Sequence, residues 1–323
     1  MKVLNDISEM SSLAGPLHLA IGVFDGLHVG HQAVINRAKE SVEKARGTAV
    51  VVTFDPHPID VLSPRNAPRL LTALSHKLSI MHHRLEIPCA LVVNFDSDFA
   101  AKTGEQFILD LIAGAPEEGI ARICVGEDWQ FGRQRSGNLG LLKELGARNG
   151  FEVSGLPTVE KEGVRVSSTR IREAVAAGDF EVARQLLGRD YTVFGTVIEG
   201  RKLGRTIGFP TANFTVHREQ LPPTGVYAVR VIGSGDSWDG VANLGYRPTV
   251  EGGEVKRLLE VHLFGLNHEI YGEDLEIEFV KFLRPEEKFE GIDALKAQIA
   301  EDVESARREF GLHSGVTKKR FSP

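Results

Sequence analysis

Two histidines three residues apart, His28 and His31, close the run Gly22-Val23-Phe24-Asp25-Gly26-Leu27-His28-Val29-Gly30-His31. A helical turn sets both imidazoles on one side, and Gly30 between them lets a ligand come close to the backbone. The free N–H groups and the dipole of a helix start favour an anion such as phosphate. Imidazoles there can donate to oxygens whose charge grows in a transition state. Two other readings stay open on these residues alone. The pair could ligate zinc, although no third ligand stands at suitable spacing and a metalloprotease helix carries its histidines at i and i+4. It could equally be a pair of satisfied turn histidines.

A second run, Val166-Ser167-Ser168-Thr169-Arg170-Ile171-Arg172, puts three hydroxyls and two guanidiniums at another helix start. Such residues can cap their own helix or hold a polyphosphate. Paired with a His-x-Gly-His in one α/β domain, they favour the phosphate.

The third constellation lies in the second half. Gly200, Gly204 and Gly208 recur every four residues, with Arg201, Lys202 and Arg205 between them, and lead into Pro210-Thr211-Ala212-Asn213. Backbone N–H groups of such a loop can face a ligand. It is not a Walker A loop, because no Gly-Lys-Ser/Thr ends it. Thr211 and Asn213 alternate on one face of a strand, which suits oxygen ligation of a Mg²⁺–nucleotide. A mobile surface loop and an ordinary β-turn are the bland readings. Further on, Glu260 stands among apolar neighbours in Leu259-Glu260-Val261-His262-Leu263 and, taken alone, reads as a water-facing strand residue.

The elements that must position these residues follow from periodicity. Leu17–Phe24, Thr48–Phe54, Cys89–Phe95 and Arg122–Gly126 are apolar runs without polar alternation, as strands buried on both faces should be. Helical stripes at 31–44, 104–112 and 139–148 lie around and between them, so the first half reads as a doubly wound α/β domain. Two short helices, 169–177 and 180–187, end at Gly178 and Gly188, and Asp179 caps the second. The domain boundary is placed there: 1–188, then 189–323. In the second half Tyr227, Val229 and Val231, then Leu275, Ile277 and Phe279, alternate with less apolar neighbours. Strands with one wet face, separated by Gly/Pro turns, predict a small antiparallel β-barrel. The phase slip after Phe279 predicts a bulge, and a helix over 293–310 closes the chain.

Composition bounds the rest. In 323 residues the 38 basic and 44 acidic side chains leave a net charge of −6, which argues against a general nucleic-acid or anionic-membrane binder. Two cysteines cannot staple a chain of this length, and both sit in apolar runs, so buried free thiols are expected. No window reaches the length of a membrane span, and Met1–Met10 lacks the build of a signal peptide. The expectation is a cytoplasmic protein with no membrane partner and no nucleic acid, a homo-oligomer being left open.

Together these runs carry a resemblance. Gly22–His31, Thr53-Phe54-Asp55-Pro56-His57-Pro58, Asn94-Phe95-Asp96-Ser97-Asp98-Phe99, Gly126-Glu127-Asp128-Trp129-Gln130-Phe131-Gly132 and the late Ser-Ser-Thr-x-Ile-Arg resemble the bacterial bifunctional riboflavin kinase/FMN adenylyltransferases. The resemblance implies adenylyl transfer from ATP to FMN in the first domain, giving FAD and pyrophosphate. Gly22, Phe24, His28 and His31 would meet ATP, with His28 and His31 catalytic, and Ser168, Thr169 and Arg172 would hold the departing phosphates. Asp128 stands at a position associated with the flavin, while His57 either touches substrate or braces a loop. For the second domain it implies phosphorylation of riboflavin to FMN. Gly200, Gly204, Arg205, Gly208, Thr211 and Asn213 would bind Mg–ATP, Thr211 and Asn213 would hold the metal, and Glu260 would be the base. Substrates and products would be riboflavin, FMN, FAD and ATP. The stretch Phe264–Gly272 departs from the family pattern, which commonly has acidic residues near Gly265 and Asn267. A monofunctional adenylyltransferase with a flavin-binding second domain and a non-catalytic flavin sensor are the rival readings.

Overall fold

The computed structural model describes residues 1–200, 204, 208–233, 235–248 and 255–311, the side chains of 247, 248, 255 and 256 excepted. The chain divides into two compact units, Met1–Ser168 and Thr169–Pro323.

Six parallel strands form the sheet of the first unit: β1 (Lys2–Leu4), β2 (Leu17–Ile21), β3 (Thr48–Asp55), β4 (Cys89–Asn94), β5 (Ile120–Gly126) and β6 (Glu152–Leu156). Their spatial order is β1-β4-β3-β2-β5-β6. Helices α1 (Val29–Ala45), α2 (Pro58–Leu62), α3 (Leu74–His83), α4 (Ser97–Ala100), α5 (Gly104–Ala113) and α6 (Leu139–Asn149) connect them. A two-residue ladder, β7 (Glu160–Lys161) with β8 (Val164–Arg165), precedes α7 (Ser168–Ala177). The doubly wound α/β architecture is the predicted one.

Both faces of the sheet are covered, which is why its strands lack polar alternation. Ala20, Val51, Ala90 and Cys124 meet Val34, Ile35 and Ala38 of α1 and Ile80 and Met81 of α3. The other face presents Leu19, Ile21, Val50, Val52, Leu91 and Val93 to Phe107, Ile108 and Leu111 of α5 and to Leu142 and Leu145 of α6. Each such aliphatic side chain contributes about 1.5–3 kcal/mol by leaving water. Cys89 and Cys124 are buried free thiols, as expected, and burial raises both to about 11. Strand order reverses at β2, with β3 and β4 on one side and β5 and β6 on the other. At such a switch point a crevice opens beyond the carboxyl ends of the strands.

In the second unit α8 (Phe180–Leu187) is capped by Asp179, whose carboxylate accepts from Val182 N–H at 3.0 Å, and ends at Gly188 with φ 72°. Then come β9 (Thr192–Ile198), β10 (Ala212–Val216), β11 (Gly225–Ile232), β12 (Ser237–Pro248), β13 (Val255–Leu263) and β14 (Asp274–Arg284), followed by α9 (Ile292–Glu309). The strands close into an antiparallel barrel, ordered β10-β13-β12-β11-β14-β9. Closure removes the unpaired edges that a short open sheet would expose.

Two faces read as wet from the sequence are partly covered. Val226 and Ala228 are buried because Val303 and Ala306 of α9 cover that side of β11. Glu276 is 9% exposed and accepts from Thr192 Oγ1 at 2.6 Å. The predicted bulge is present: Val229 pairs with Phe279 but Ala228 with Lys281, so Val280 has no partner in β11. A second slip sets Tyr227 opposite Phe282 and Val226 opposite Arg284.

Candidate active sites

The first site is built where β2 gives way to α1. Gly22 N–H still donates to Val52 O at 3.1 Å; the chain then turns through Phe24, Gly26 and Leu27, all at positive φ. Phe24 and Leu27 are buried, so their side chains anchor the turn in the core despite the strained backbone. His28 is the N-cap of α1, its Nδ1 accepting from His31 N–H at 3.2 Å. That bond puts the ring proton on Nε2. The two imidazoles stack with centroids 3.5 Å apart, and Phe24 stands edge-on to His31 at 5.4 Å. A β-carbon on Gly30 would come within 3.1 Å of the His28 ring, so a larger residue there would press on the stacked pair. His31 Nδ1 is buried and has no hydrogen-bond partner among the described residues. Burial, with help from His28 and Lys77, holds the His31 ring well below the ordinary histidine range, hence neutral near pH 7.

Around this turn the polar contacts are dense. Asp25 Oδ1 accepts from the N–H groups of Leu71 and Thr72 at 2.8 and 3.0 Å, and Gly26 N–H donates to Thr72 Oγ1 at 3.0 Å. Ser168 Oγ donates to Asp25 O at 2.9 Å, so the start of α7 is tied to the histidine turn. Thr169 is exposed and Arg172 half-buried one turn further along α7; both fall in the second unit. Asp128 is paired with Arg165 of β8. His57 caps α2, its Nδ1 accepting from Ile59 N–H at 3.1 Å, so it does brace its own loop. Trp129 and Phe131 stack at 4.0 Å, at the end of a chain of ring contacts through Phe107, Phe99, Phe54 and Phe95.

The second site is a cavity of about 400 Å³ in the barrel unit. One row of paired residues crosses five strands on its wall: Asn213 (β10) opposite Glu260 (β13), Glu260 opposite Asn243 (β12), Asn243 opposite Val226 (β11), Val226 opposite Arg284 (β14). All five line the cavity, as do Gly204, Thr211 and His262, and Leu295, Ile299 and Asp302 of α9. Arg284 donates to both oxygens of Asp302 at 2.8 and 2.7 Å, a two-pronged bond that fastens α9 to the end of β14. His262 Nδ1 bonds Pro210 O at 2.8 Å and so holds the strand that begins at Thr211 and Asn213. Asn213 is 5% exposed, and its Oδ1 has no partner among the described residues.

Two glycines of the loop have a steric reason. A β-carbon at Gly200 would meet Asn213 Nδ2 at 2.1 Å, and one at Gly204 would meet Phe209 O at 2.3 Å. Gly208 has φ 93°. Arg205, Arg201 and Lys202 lie outside the described residues, as does the tail 318–320.

Comparison with known proteins agrees with this division. An FAD synthetase family model matches residues 11–170, and a riboflavin kinase family model matches residues 187–310. The bifunctional riboflavin kinase/FMN adenylyltransferase of Haemophilus influenzae is 38% identical over 311 residues, 96% of this chain and 99% of the relative. This chain belongs to that family. The enzyme of the same name from Escherichia coli is 40% identical over 314 residues, 97% of this chain and 99% of its own. A crystal structure described as a macrolide-efflux protein from Streptococcus pneumoniae superposes with a TM-score of 0.78 at 29% identity, covering 95% of this chain and 99% of that one. Among the described residues, no helix is long and apolar enough to cross a membrane.

Several residues of this family member's sites escape a sequence reading. Lys77, on α3, is buried against the histidine turn, and nothing in its amphipathic surroundings marks it. Asn243 comes to the cavity wall only through barrel register and Asp302 only through α9, which periodicity does not reveal. His262 was within sight, two residues from Glu260 and therefore on the same strand face.

Proposed function

We propose that the first unit transfers the adenylyl group of ATP to FMN and that the second transfers the γ-phosphoryl group of ATP to riboflavin. The observation that carries this reading is that each unit holds its own polar site with a buried, unpartnered donor or acceptor: His31 Nδ1 in one and Asn213 Oδ1 in the other.

In adenylyl transfer the FMN phosphate, already an anion, attacks the α-phosphorus and pyrophosphate leaves. No base is demanded, so positioning and charge stabilisation supply the rate. His28, with its proton on Nε2, and His31 face the triphosphate, on a floor formed by Gly22 and Phe24. Ser168, bonded to Asp25 O, holds the leaving pyrophosphate. Asp128 and His57 sit on the flavin side.

Phosphorylation of riboflavin starts from a neutral alcohol, and Glu260 takes the proton of the ribityl 5′-hydroxyl as that oxygen attacks the γ-phosphorus. Thr211 and Asn213 would hold Mg²⁺, the orphaned Asn213 Oδ1 being the kind of hard oxygen this ion takes, and the bound ion would supply charge neutralisation at the phosphates. Gly200, Gly204, Arg205 and Gly208 cover the nucleotide.

We place the boundary between the two domains at residues 188 and 189, where Gly188 ends α8 and the barrel follows; the matched segments end at 170 and begin at 187, and the compact units part after Ser168. The protein works in the cytoplasm on small molecules. The test is chromatography of riboflavin incubated with the protein and Mg–ATP: FMN and then FAD should form, with ADP and pyrophosphate released. Flavin binding without either product would sink the reading.

A further inference from the structure

Lys77 is 5% exposed, and neither reaction as derived above uses it. Its Nζ donates to Val23 O at 2.8 Å and to Thr53 Oγ1 at 3.2 Å, and Thr53 Oγ1 in turn donates to Val23 O at 3.0 Å. One ammonium therefore ties α3 to the start of the histidine turn and to β3. The same turn is fastened a second time from the segment leading into α3, through Asp25 and the N–H groups of Leu71 and Thr72. The charged and titratable groups facing Lys77 are Asp25 from the turn, Asp55 from the end of β3 and His31 from α1, with His28 stacked on His31. Burial brings the lysine down to about 8, while Asp25 and Asp55 work to keep it charged. A neutral donor would lack the charge assistance that the ammonium gives the bond to Val23 O. The lysine's charge also opposes protonation of His31, after burial and the charge of His28.

We propose that Lys77 is a positioning residue for adenylyl transfer: its ammonium clamps the β2–α1 turn to α3 and β3 through Val23 and Thr53. This rests on the assignment of FAD formation to the first unit. The test uses the full chain as Lys77→Met, Lys77→Gln and Lys77→Arg, with riboflavin phosphorylation and near-ultraviolet circular dichroism as controls for folding. In Lys77→Met, kcat for FAD formation from FMN should fall by about tenfold to a hundredfold, with KM for ATP changed less than about threefold. The His31 ring titration, followed by NMR of the imidazole, should move up. Lys77→Gln keeps a donor for Val23 O but no charge, and should show the same His31 shift. Lys77→Arg should keep the His31 titration low and recover most of the rate. If Lys77→Met does not fold, the Gln and Arg variants decide. Wild-type kcat together with an unmoved His31 in a folded neutral variant would overturn the proposal. A wild-type protein that makes no FAD would instead overturn the assigned reaction, and the His31 titrations would still test the lysine.

Discussion

Asn213 on β10 lies directly across from Glu260 on β13, and Asn243 of β12 is in register on the other side of Glu260. The carboxylate thus stands between two amides on one cavity wall. Glu260→Gln should preserve this packing while removing the base. FMN formation should fall by about a hundredfold to ten-thousandfold. FAD formation from supplied FMN should stay within about twofold of wild type, as chromatography of the two flavins would show. Equal loss of both products in a folded protein would contradict two separate sites.

Metal should be held beside that row. Chelation with EDTA should stop riboflavin phosphorylation, and Asn213→Ala should raise the Mg²⁺ concentration giving half-maximal rate by about tenfold. Steady-state rates across a Mg²⁺ titration measure this directly, and an unshifted titration would remove Asn213 from the metal's ligands.

The mirror experiment concerns the stacked histidines. His28→Ala with His31→Ala should lower FAD formation by about a hundredfold to a thousandfold, the scale of losing donors to a charged transition state. Because the rings lie in the first unit and Glu260 in the second, ADP release from riboflavin and ATP should persist.

Acid should destabilise the fold through its buried imidazoles. His18, bonded to Ser41 Oγ and Arg46 O at 2.9 Å each, His31 and His262 are all held below the ordinary value of 6.5, burial being the main cause. A folded-state pKa below the unfolded one means that the unfolded chain binds more protons in between. The stability contribution is therefore full above pH 6.5 and is lost as pH falls below it toward the depressed folded values. The urea midpoint should be lower at pH 5.5 than at pH 7.5, and a midpoint that rose on acidification would contradict the sign.

The sequence makes the central strands β2 to β5 legible because they are covered on both faces, and α8 because Asp179 and Gly188 cap it chemically. It leaves β1 and β6 obscure: one has three residues and the other carries Glu152, Ser154 and Gly155. The site residues that sit beside a glycine turn, such as His28, His31 and Asn213, are readable from local chemistry. Those that arrive by tertiary register are not. Lys77 reaches Val23 across 54 positions, and Arg284 meets Asp302 only because α9 folds back over the barrel. The alternation along β11 and β14 correctly announces strands, yet it misjudges what is wet, since a terminal helix can cover a face that the strand's own sequence leaves ambiguous.

The two slips along β14 have a consequence in parity. Each skipped residue, Val280 and Leu283, turns the rest of the strand over once, so together they restore the original facing while advancing the count by two. An unbroken ladder from Val229–Phe279 would have brought Phe282 opposite Val226; the double offset brings Arg284 there instead. Deleting either residue alone would remove its own slip and leave Arg284 opposite Val226. Deleting both would turn the same four pairs into a regular ladder, with Arg284 still opposite Val226. The two insertions are thus absorbed where they occur, and the arginine's address in the barrel is the same with or without them.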